Sequence, residues 1–595
     1  MADRSAEPDA DSASRLIADL NPSQREAALA LVGPVRILAG PGTGKTRTIT
    51  HRIAYGVRSG VYDPDRVLAL TFTNRAAGEL RGRLAALKVP TVQARTFHAA
   101  ALRQLTYFWP HVVGGEPPRV VASKSRFVAE AAERVGTRLD PVGVRAVAET
   151  IEWRKTAELR LDDYAARLER GEMQPPARLS ANQAIDLHDA YEVIKDERRI
   201  IDFEDVLLAT AGMLETETWI TQQVREQYRF LVVDEYQDVS PLQHKLLRLW
   251  LGNRRELCVV GDPAQTIFSF TGASSSFLID FDREYPDART VRLDENYRSS
   301  VPILGVANAL AARIQGAISL VAAETASEDA PARRPAVPDL DEFADEMVEA
   351  RAIARRAAQA VAAGESAAEI AVLVRTNAQT AAIERALQDA GVPYRIAGGR
   401  PFFQRPEVRA AVAGCNAAVI AGHGDRPLFQ AVSDVLRDRG YSVEPPAEPG
   451  ELLDAWRSLD AIMRLAEATP PGTSLAEFSA ELTLRAKLQH EPALDAVTVA
   501  TMHSAKGLEW DRVFVAGLSE GRVPIVQAVS EPQLDEERRL LYVAITRARR
   551  ELHLSWSRAG WRDSAEAAPS RFLAELGNRI RRGIHTAPAA ARQNP

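Results

Sequence analysis

The chain has 595 residues and a mass of 65.1 kDa, which at about 150 residues per domain corresponds to about three or four domains. Hydrophobic residues make up 46% and charged residues 26%, which excludes a wholly disordered chain, a collagen-like chain and a disulfide scaffold. The net charge is −6, so any binding of nucleic acid requires a local basic surface. Two cysteines, Cys258 and Cys415, cannot form a cysteine zinc cluster or an Fe–S cluster and favour a reducing cytoplasm.

The two ends and one internal stretch have the composition of unstructured segments. Residues 1–15 are polar, have no apolar core of a signal peptide and are predicted to be a disordered tail. We expect a second disordered tail at residues 581–595 and a loop or linker at Glu324–Asp341. The longest uncharged apolar stretch, Ala410 to Gly422, is too short to span a bilayer. We therefore expect a cytoplasmic protein with no membrane partner.

Short aliphatic runs that are apolar on both faces alternate with helical patterns along most of the chain. This is typical of buried parallel strands and predicts an α/β fold. The runs are Val35–Ala39, Val67–Thr71, Phe230–Val233, Leu257–Gly261, Thr290–Leu293, Ile370–Val374, Val497–Thr501 and Val513–Gly517. Residues 106–199 and 408–494 instead carry apolar residues mostly at helical spacing and are predicted to be helical insertions.

The first run continues into a phosphate-binding pattern. Val35–Ala39 is followed by Gly-Pro-Gly-Thr-Gly-Lys-Thr46 and a helical pattern, the strand–loop–helix context that a phosphate loop needs. Glycines let backbone N–H groups surround a phosphate, and the helix N-terminus adds positive potential. Lys45 would reach the β- and γ-phosphates, and Thr46 would hold Mg²⁺. The alternative is a chance glycine-rich turn, but the chain has eight lysines against 66 arginines, so a lysine here is a rare choice.

A second buried run ends in two acidic residues. After Phe230–Val233, Asp234 could bind Mg²⁺ through water and Glu235 could polarise the water that attacks the phosphate. The alternative is a strand followed by a solvated acidic turn. Combined with the phosphate loop upstream, the pair predicts ATP hydrolysis.

Further segments point to a two-part motor. Arg298 follows a predicted strand and Arg547 follows a helical run, although either could be a surface residue on its own. With the other motifs, the chain resembles the UvrD/PcrA/Rep family of superfamily I DNA helicases over 20–310, 365–410 and 495–560. The motifs that carry the resemblance are LNPSQREAA, AGPGTGKT, LALTFTNRAAGELRGRL, TFHAAALRQL, VVDEYQD, VVGDPAQTIFSFTGA, LDENYRS, VATMHSAKGLEWDRVFV and EERRLLYVAITRARREL. The spelling DEYQD and Pro263 resemble the actinobacterial second UvrD-like branch.

The resemblance implies two RecA-like motor domains, each with a helical insertion. The expected boundaries are 16–105 and 200–300 for the first motor domain, 106–199 for its insertion, 301–407 and 495–580 for the second motor domain, and 408–494 for a second insertion. That second insertion is shorter than in UvrD, PcrA or Rep. No nuclease-like carboxylate cluster is recognisable near the C-terminus.

The resemblance also implies the residues of an ATP site between the two motor domains, with ATP and Mg²⁺ as cofactors. Catalytic roles fall to Lys45, Asp234, Glu235, Gln265, Arg298 and Arg547, and Mg²⁺ ligation to Thr46 and Asp234. Gln24 would contact adenine, Tyr297 and Arg47 would sandwich it, and Glu509 would take a ribose hydroxyl. The nucleotide-binding set is Gln24, Ala39, Gly40, Pro41, Gly42, Thr43, Gly44, Lys45, Thr46, Arg47, Tyr297, Arg298, Glu509 and Arg547.

Single-stranded DNA is the second ligand that the resemblance implies. The expected DNA contacts are Thr71, Phe72, Thr73, Asn74, Phe97, His98, Phe268, Phe270 and His503, since rings that stack on bases tolerate any sequence. A lone phenylalanine can equally pack in a core, but Phe268 and Phe270 alternate and would share one face of an extended segment. Relatives usually carry Tyr and Trp at these two positions and Arg where Thr271 stands.

Three functions remain open at this stage. The first is an ATP- and Mg²⁺-dependent 3′ to 5′ DNA helicase that acts on single strands and single/double-strand junctions in DNA repair or replication restart, with DNA-repair proteins as partners. The second is a DNA-stimulated translocase that displaces proteins but unwinds duplex poorly without a partner. The third is an ATP-gated binding module, against which Glu235, Gln265, Arg298 and Arg547 argue.

Overall fold

The computed structural model describes residues 10–323, 336–397, 402–422, 426–442, 444, 446, 451–488, 495–559 and 566–584. By contacts the chain divides into two compact units, Met1–Asn296 with Gln315–Leu320, and Tyr297–Ile314 with Val321–Pro595. Parts of the predicted tails and linker, residues 1–9, 324–335 and 585–595, lie outside the described residues.

A parallel sheet forms the centre of the first unit. The strands of this unit, in chain order, are β1 Val35–Ala39, β2 Val67–Thr71, β3 Gln93–Thr96, β4 Arg119–Val120, β5 Ile200–Ile201, β6 Phe230–Val233, β7 Leu257–Gly261, β8 Arg289–Leu293 and β9 Glu295–Asn296. All except β4, β5 and β9 belong to the central sheet. The sheet has the order β3–β2–β6–β7–β1–β8 with parallel neighbours. Along β2, Leu68 and Leu70 pack into one hydrophobic cluster and Val67 and Ala69 into another, because successive side chains point to opposite faces.

Helices cover both faces of this sheet and extend beyond it. They are α1 Ala10–Ala18, α2 Pro22–Leu29, α3 Lys45–Arg58, α4 Asn74–Ala86, α5 Phe97–Val112, α6 Ser125–Arg134, α7 Pro141–Thr156, α8 Leu161–Glu169, α9 Ala181–Arg198, α10 Phe203–Thr216, α11 Thr218–Gln227, α12 Pro241–Leu251, α13 Ser276–Ile279 and α14 Phe281–Glu284. Several begin at side-chain caps. Thr73 caps α4 and Asp202 caps α10, each accepting a backbone N–H of the first turn.

Helices α6 to α9 lie in the segment 106–199 that was predicted to be a helical insertion. Val128, Ile151 and Leu187 belong to a hydrophobic cluster of their own, because each helix buries one apolar stripe against the others. Strands β4 and β5 stand at the two ends of this segment and pair in parallel, an element that the helical pattern did not predict.

The second unit is built on another parallel sheet. The strands of this unit are β10 Val321–Ala322, β11 Asp339–Asp345, β12 Ile370–Val374, β13 Tyr394–Ile396, β14 Val497–Thr501, β15 Trp510–Val515, β16 Ala548–Ala559 and β17 Arg581–Ile584. All except β10 belong to the parallel sheet. The order is β13–β14–β12–β15–β16–β11–β17, again with parallel neighbours. The α/β fold with large parallel sheets, predicted from the uniformly apolar runs, is therefore confirmed.

The helices of the second unit surround this sheet and form the region of the predicted second insertion. They are α15 Val301–Ala311, α16 Glu346–Ala362, α17 Thr380–Asp389, α18 Pro406–Ile420, α19 Leu428–Arg437, α20 Glu451–Glu467, α21 Leu475–Leu488, α22 Glu531–Ile545 and α23 Phe572–Glu575. Helices α18 to α21 share a hydrophobic cluster that includes Val432, Ile462 and Phe478. In the part of the chain that the structure describes, no helix combines the length and apolar character needed to cross a membrane.

Regular secondary structure lies within both of the predicted tails. Helix α1 starts at Ala10, within the predicted tail 1–15, because Ala13 and Leu20 are buried and Leu16 packs against the first sheet. At the other end, β17 occupies Arg581–Ile584, within the predicted tail 581–595, and adds to the sheet beside β11. Strand β11 likewise begins at Asp339, inside the predicted linker. These elements were not predicted because their sequences are mostly polar and their positions depend on contacts with distant parts of the chain.

Candidate functional site: a phosphate loop and an exposed aromatic turn

The phosphate loop lies between β1 and α3. Gly42 and Gly44 have φ of +71° and +81°, a region that residues with a Cβ avoid. At Gly40 a Cβ would come within 2.4 Å of Leu320 Cδ2, so the chain passes too close for a side chain. Ala39, at the position of the first glycine of the strict pattern, is the buried last residue of β1, where a methyl group fits.

Gln24 lies against this loop. It caps α2 together with Asn21 in a reciprocal pair of hydrogen bonds, and its Nε2 donates to the Thr43 carbonyl at 3.0 Å. Arg47, on the first turn of α3, donates to the Asp19 carbonyl at 3.0 Å. The structure thus brings Gln24 to the loop, as its predicted adenine contact requires, and places the Arg47 guanidinium on the outer surface.

The hydrolytic residues of the first unit meet at Lys45. Its Nζ lies 3.9 Å from Oε1 of Glu235, and the Lys45 side chain is only 12% exposed. Glu235 has φ of +53°, a strained value for a residue with a side chain, and Oδ1 of Asp234 accepts its backbone N–H at 3.0 Å. Thr46 follows Lys45 at the N-terminus of α3.

The adjacent carboxylates of Asp234 and Glu235 concentrate negative charge at this corner. Burial, followed by the neighbouring Glu235 carboxylate, raises the pKa of Asp234 to about 7. A divalent cation satisfies such a pair better than a proton does, and Mg²⁺ usually takes one or two carboxylates together with phosphate oxygens. Asp234 and the Thr46 hydroxyl fit that donor set. Groups of three or more His, Cys, Asp or Glu side chains suited to a metal do not occur among the described residues.

Gln237 connects this corner to Gln265, another of the predicted catalytic residues. Its Nε2 donates to Glu235 Oε2 at 2.5 Å, and its Oε1 accepts the Asp262 N–H at 3.1 Å. Asp262 Oδ2 then accepts Gln265 Nε2 at 2.8 Å. Gly261 allows this approach, since a Cβ there would lie 2.4 Å from Gln237 Oε1. The sequence analysis did not single out Gln237, although it belongs to the DEYQD motif. The structure shows that it is fully buried.

The arginines of the second unit are held by that unit's own backbone and carboxylates. Arg298 places NH2 at 2.5 Å from Glu509 Oε2 and NH1 at 3.4 Å from the Thr546 carbonyl, and burial lowers the pKa of Arg298. Glu509 also accepts Arg549 at 3.3 Å. Tyr297 is 42% exposed, which leaves ring area available for stacking.

Arg547 lies deeper than Arg298. Its guanidinium donates to the Val543 carbonyl at 2.9 Å, the Leu508 carbonyl at 3.2 Å and the Thr546 hydroxyl at 3.2 Å. The residue is 2% exposed. The Thr546 residue, through its carbonyl and hydroxyl, thus contacts both predicted arginines and brings them together within this unit.

Three predicted DNA-contacting rings lie together in the first unit. Phe72 stacks on Phe268 with ring centres 5.8 Å apart, and Phe268 meets Phe270 edge to face at 6.1 Å. Phe270 is 56% and Phe72 37% exposed. The predicted extended segment is wrong, however, because Ser269–Thr271 is a 3₁₀ turn. The two rings of that segment are therefore inclined at 66° and do not lie parallel on one face.

The polar residues near these rings divide by position. Thr73 and Asn74 are exposed at the N-terminus of α4, where a phosphate would be favoured. Thr71 is buried at the end of β2. Burial lowers the pKa of His98 and that of His503 to about 4, so both rings are neutral near pH 7.

The structure does not bring Phe97 to the aromatic surface. Its ring is 3% exposed and stacks on Trp250 at 6.0 Å within the hydrophobic core of the first unit. This corrects the expectation that Phe97 stacks on a base. As the first residue of α5 it points into the core, while His98, the next residue, turns its edge to Phe203.

Models of known protein families match the sequence of both units. The model of the UvrD/REP helicase N-terminal domain matches residues 20–286, and that of the UvrD-like helicase C-terminal domain matches residues 291–417 and 448–559. The chain belongs to the UvrD/Rep helicase family. The family predicted from the motifs is therefore confirmed, and with it the enzyme class.

Relatives within the UvrD/Rep family align along nearly the whole chain. The ATP-dependent DNA helicase UvrD2 of Mycobacterium tuberculosis is 42% identical over 601 residues, covering 97% of this chain and 84% of that protein. UvrD1 of the same organism is 30% identical over 699 residues, covering 97% and 87%. The ATP-dependent DNA helicase PcrA of Leuconostoc citreum is 29% identical over 649 residues, covering 94% and 84%. The greater identity to UvrD2 than to UvrD1 agrees with the predicted second UvrD-like branch.

Proposed function

We propose that this UvrD/Rep-family protein is an ATP- and Mg²⁺-dependent DNA helicase that moves 3′ to 5′ on single strands in DNA repair or replication restart. The observation that carries the proposal is the chain of hydrogen bonds from Glu235 through Gln237 and Asp262 to Gln265. Gln265 precedes Phe268 by three residues, so these hydrogen bonds link the proposed catalytic carboxylate of Glu235 to the segment that carries the proposed DNA-stacking rings of Phe268 and Phe270. The polarity follows from the family alone.

In the proposed hydrolysis, residues of the phosphate loop hold the nucleotide. Backbone N–H groups of the loop and Lys45 bind the phosphates, and Glu235 orients and polarises the attacking water. Thr46 and Asp234 would hold Mg²⁺, which would supply positive charge to the β- and γ-phosphates. Glu235, the proposed base, lies beside Lys45, the residue proposed to bind the phosphates.

Two arginines complete the proposed chemistry. Arg298 and Arg547 neutralise the charge that develops as the bond to the γ-phosphate breaks, a contribution that for an arginine finger amounts to about 10³–10⁵ in kcat. Glu509, which contacts Arg298, binds the ribose, and Tyr297 with Arg47 encloses the adenine that Gln24 contacts. These roles come from the family resemblance. The position of both arginines on Thr546 supports a common task.

The proposed DNA partner is a single strand or a single/double-strand junction, with DNA-repair proteins as further partners. Phe72, Phe268 and Phe270 supply stacking area that tolerates any base, and Thr73 and Asn74 lie at a helix N-terminus suited to a phosphate. The proposed organisation is two RecA-like motor domains, each carrying a helical insertion. Free, buried Cys258 and Cys415 support a reducing cytoplasm as the compartment.

A translocase that unwinds duplex poorly without a partner is the second candidate. One observation favours it. The Thr271 hydroxyl donates to the Phe268 carbonyl at 2.8 Å, so the residue that replaces the usual arginine is used inside the turn. A cationic contact expected in relatives is thereby replaced by a local hydrogen bond.

ATPase turnover with and without single-stranded DNA tests the proposal. We expect DNA and Mg²⁺ each to raise turnover of the wild-type protein, and Lys45→Ala to abolish it while DNA binding without nucleotide persists. Lys88→Gln, at an exposed lysine of the same unit, is the control and should behave as wild type. Hydrolysis by Lys45→Ala would refute the phosphate-loop assignment, and turnover indifferent to DNA would refute both motor functions.

A further inference from the structure

The end of helix α7, in the first insertion, touches the turn that carries Phe270. The Thr156 hydroxyl has three carbonyl acceptors within reach, and that of Thr271, at 2.8 Å, is nearer than those of Glu152 and Trp153 in its own helix, at 3.0 and 3.1 Å. Gly272 has φ of +87°, and a Cβ at that position would lie 2.8 Å from Thr156 Oγ1. The turn therefore passes as close to α7 as a backbone without a side chain allows.

The turn itself is short and closed by its own hydrogen bonds. The N–H and hydroxyl of Thr271 both donate to the Phe268 carbonyl, at 3.0 and 2.8 Å, and the Gly272 N–H donates to the Ser269 carbonyl at 2.9 Å. A turn closed in this way moves as a small rigid piece. A bond to the Thr271 carbonyl consequently holds the backbone from which the neighbouring Phe270 side chain projects.

Lys155, which precedes Thr156, is held in a buried ionic network. Its Nζ lies 2.8 Å from Asp202, 2.7 Å from Asp205 and 3.0 Å from Glu192, and its side chain is 3% exposed. Burial alone would lower the pKa of Lys155, but the three carboxylates together raise it. Asp202 and Asp205 cap α10, so the last turn of α7 is anchored to that helix.

Two further lysines attach α7 to its surroundings. Lys124 contacts Glu152 of α7 at 3.3 Å, and Lys245 of α12 contacts Glu158, just beyond α7, at 3.1 Å. A lysine ammonium can meet carboxylates from several directions, whereas the arginine fork is planar. In a chain with eight lysines and 66 arginines, this use of lysine at one joint indicates a geometric requirement.

We propose that Thr156 is a positioning residue for single-stranded DNA, which acts by holding the Phe268–Gly272 turn so that the Phe270 ring presents its stacking face. The inference rests on the proposed DNA-binding role of Phe270. Segment 106–199 would then contribute to DNA binding through its contact with the turn. Lys155 holds the end of α7 in place by its ion pairs with Glu192, Asp202 and Asp205. The position of the Phe270 side chain would therefore depend on the position of α7.

The test is the concentration of single-stranded oligonucleotide that half-stimulates ATPase, measured on the full chain. Thr156→Ala should raise it about three- to tenfold, the effect of one lost hydrogen bond, with a smaller change in the maximal rate. Thr156→Ser keeps the hydroxyl and should restore the wild-type value. Thr150→Ala removes a hydroxyl from the same helix that donates only to the Ala146 carbonyl, and should leave the value unchanged.

A double-mutant cycle with Phe270→Ala separates this inference from the proposed function. If Thr156 acts through the ring, Thr156→Ala should add nothing in the Phe270→Ala background. Equal effects in both backgrounds, or a wild-type value for Thr156→Ala beside a defective Phe270→Ala, would overturn the inference alone. A wild-type value for Phe270→Ala would overturn the DNA assignment of the turn and the inference with it. Melting temperatures matching that of Thr150→Ala show that the variants are folded.

Discussion

Glu509 Oε2 lies 2.5 Å from a guanidinium nitrogen of Arg298, and Oε1 of the same carboxylate accepts Arg549 at 3.3 Å. One acidic side chain, predicted to bind ribose, therefore also holds a predicted catalytic arginine, Arg298. Loss of ribose binding and misplacement of Arg298 are consequently expected to occur together.

The first prediction concerns this shared carboxylate. Glu509→Gln keeps the shape but removes the charge, and a hydrogen bond to a charged group contributes about 1.5–3 kcal/mol. We expect kcat/KM for ATP to fall about 10- to 150-fold. Glu369→Gln removes another carboxylate that contacts Arg549 but does not contact Arg298, and steady-state kinetics should show a much smaller loss. Equal losses in the two variants would mean that the Arg298 contact is unimportant.

The second prediction concerns the exposed ring at the tip of the aromatic turn. Phe270→Ala removes a base-stacking surface of about 1–3 kcal/mol, so the half-stimulating DNA concentration should rise about 5- to 150-fold. Basal turnover should change far less. Tyr107→Ala, which removes a 59% exposed ring of the same unit, is the matched control. Equal loss of basal and DNA-stimulated turnover would show that Phe270 is structural.

The third prediction concerns Phe97, which the structure assigns to the core. Removing a buried phenylalanine costs about 3–5 kcal/mol, so Phe97→Ala should sharply lower the denaturant midpoint of the first unit. At a temperature where the variant remains folded, its half-stimulating DNA concentration should stay near wild type. A stable variant with weakened DNA stimulation would restore Phe97 to the stacking surface.

The fourth prediction concerns His188, which is buried in the first insertion and stacks on Tyr164 at 4.6 Å. Burial lowers the pKa of His188 to about 3, against about 6.5 in an unfolded chain. Between pH 3 and 6.5 only the unfolded chain binds a proton at His188. The contribution of neutral His188 to the free energy of unfolding is therefore fully present above pH 6.5 and decreases as the pH falls towards 3. The expected slope is up to about 1.4 kcal/mol per pH unit.

His188→Phe keeps the stacked ring but cannot bind a proton. Hydrogen exchange of the α9 amides, corrected for intrinsic rates, should therefore depend less on pH between 5 and 7 than in wild type. His111→Phe, at an exposed ring of the same unit, should leave the dependence unchanged. An identical pH dependence in wild type and His188→Phe would contradict a neutral buried histidine.

The parts of the site that are local in sequence were predictable. The strand before the phosphate loop ends at Ala39 as its apolar run does, and glycines that need positive φ stand in the motif itself. Asp234 and Glu235 follow a strand whose bounds are those of the apolar run. Both strand boundaries were predicted because the backbone geometry arises from neighbouring residues, while the chemical roles of these residues stay predictions.

The prediction for Phe97 was wrong, and Gln237 and Thr156 were not recognised, because their positions depend on contacts between distant parts of the chain. Phe97 and Phe72 both follow a strand-ending threonine, yet only long-range packing against Trp250 makes Phe97 a core residue. Gln237 is important through Asp262, and Thr156 through Thr271. No periodicity or spacing in the sequence encodes such pairs.

Strand displacement on one duplex bearing either a 3′ or a 5′ single-stranded tail, with ATP and Mg²⁺, tests the central claim most directly. ATPase turnover is recorded in the same reactions, and Lys45→Ala serves as the inactive control. The proposed function predicts displacement from the 3′ tail alone, accompanied by DNA-stimulated turnover. Displacement from the 5′ tail would contradict the polarity. DNA-stimulated turnover without displacement from either tail would contradict autonomous unwinding and leave the translocase.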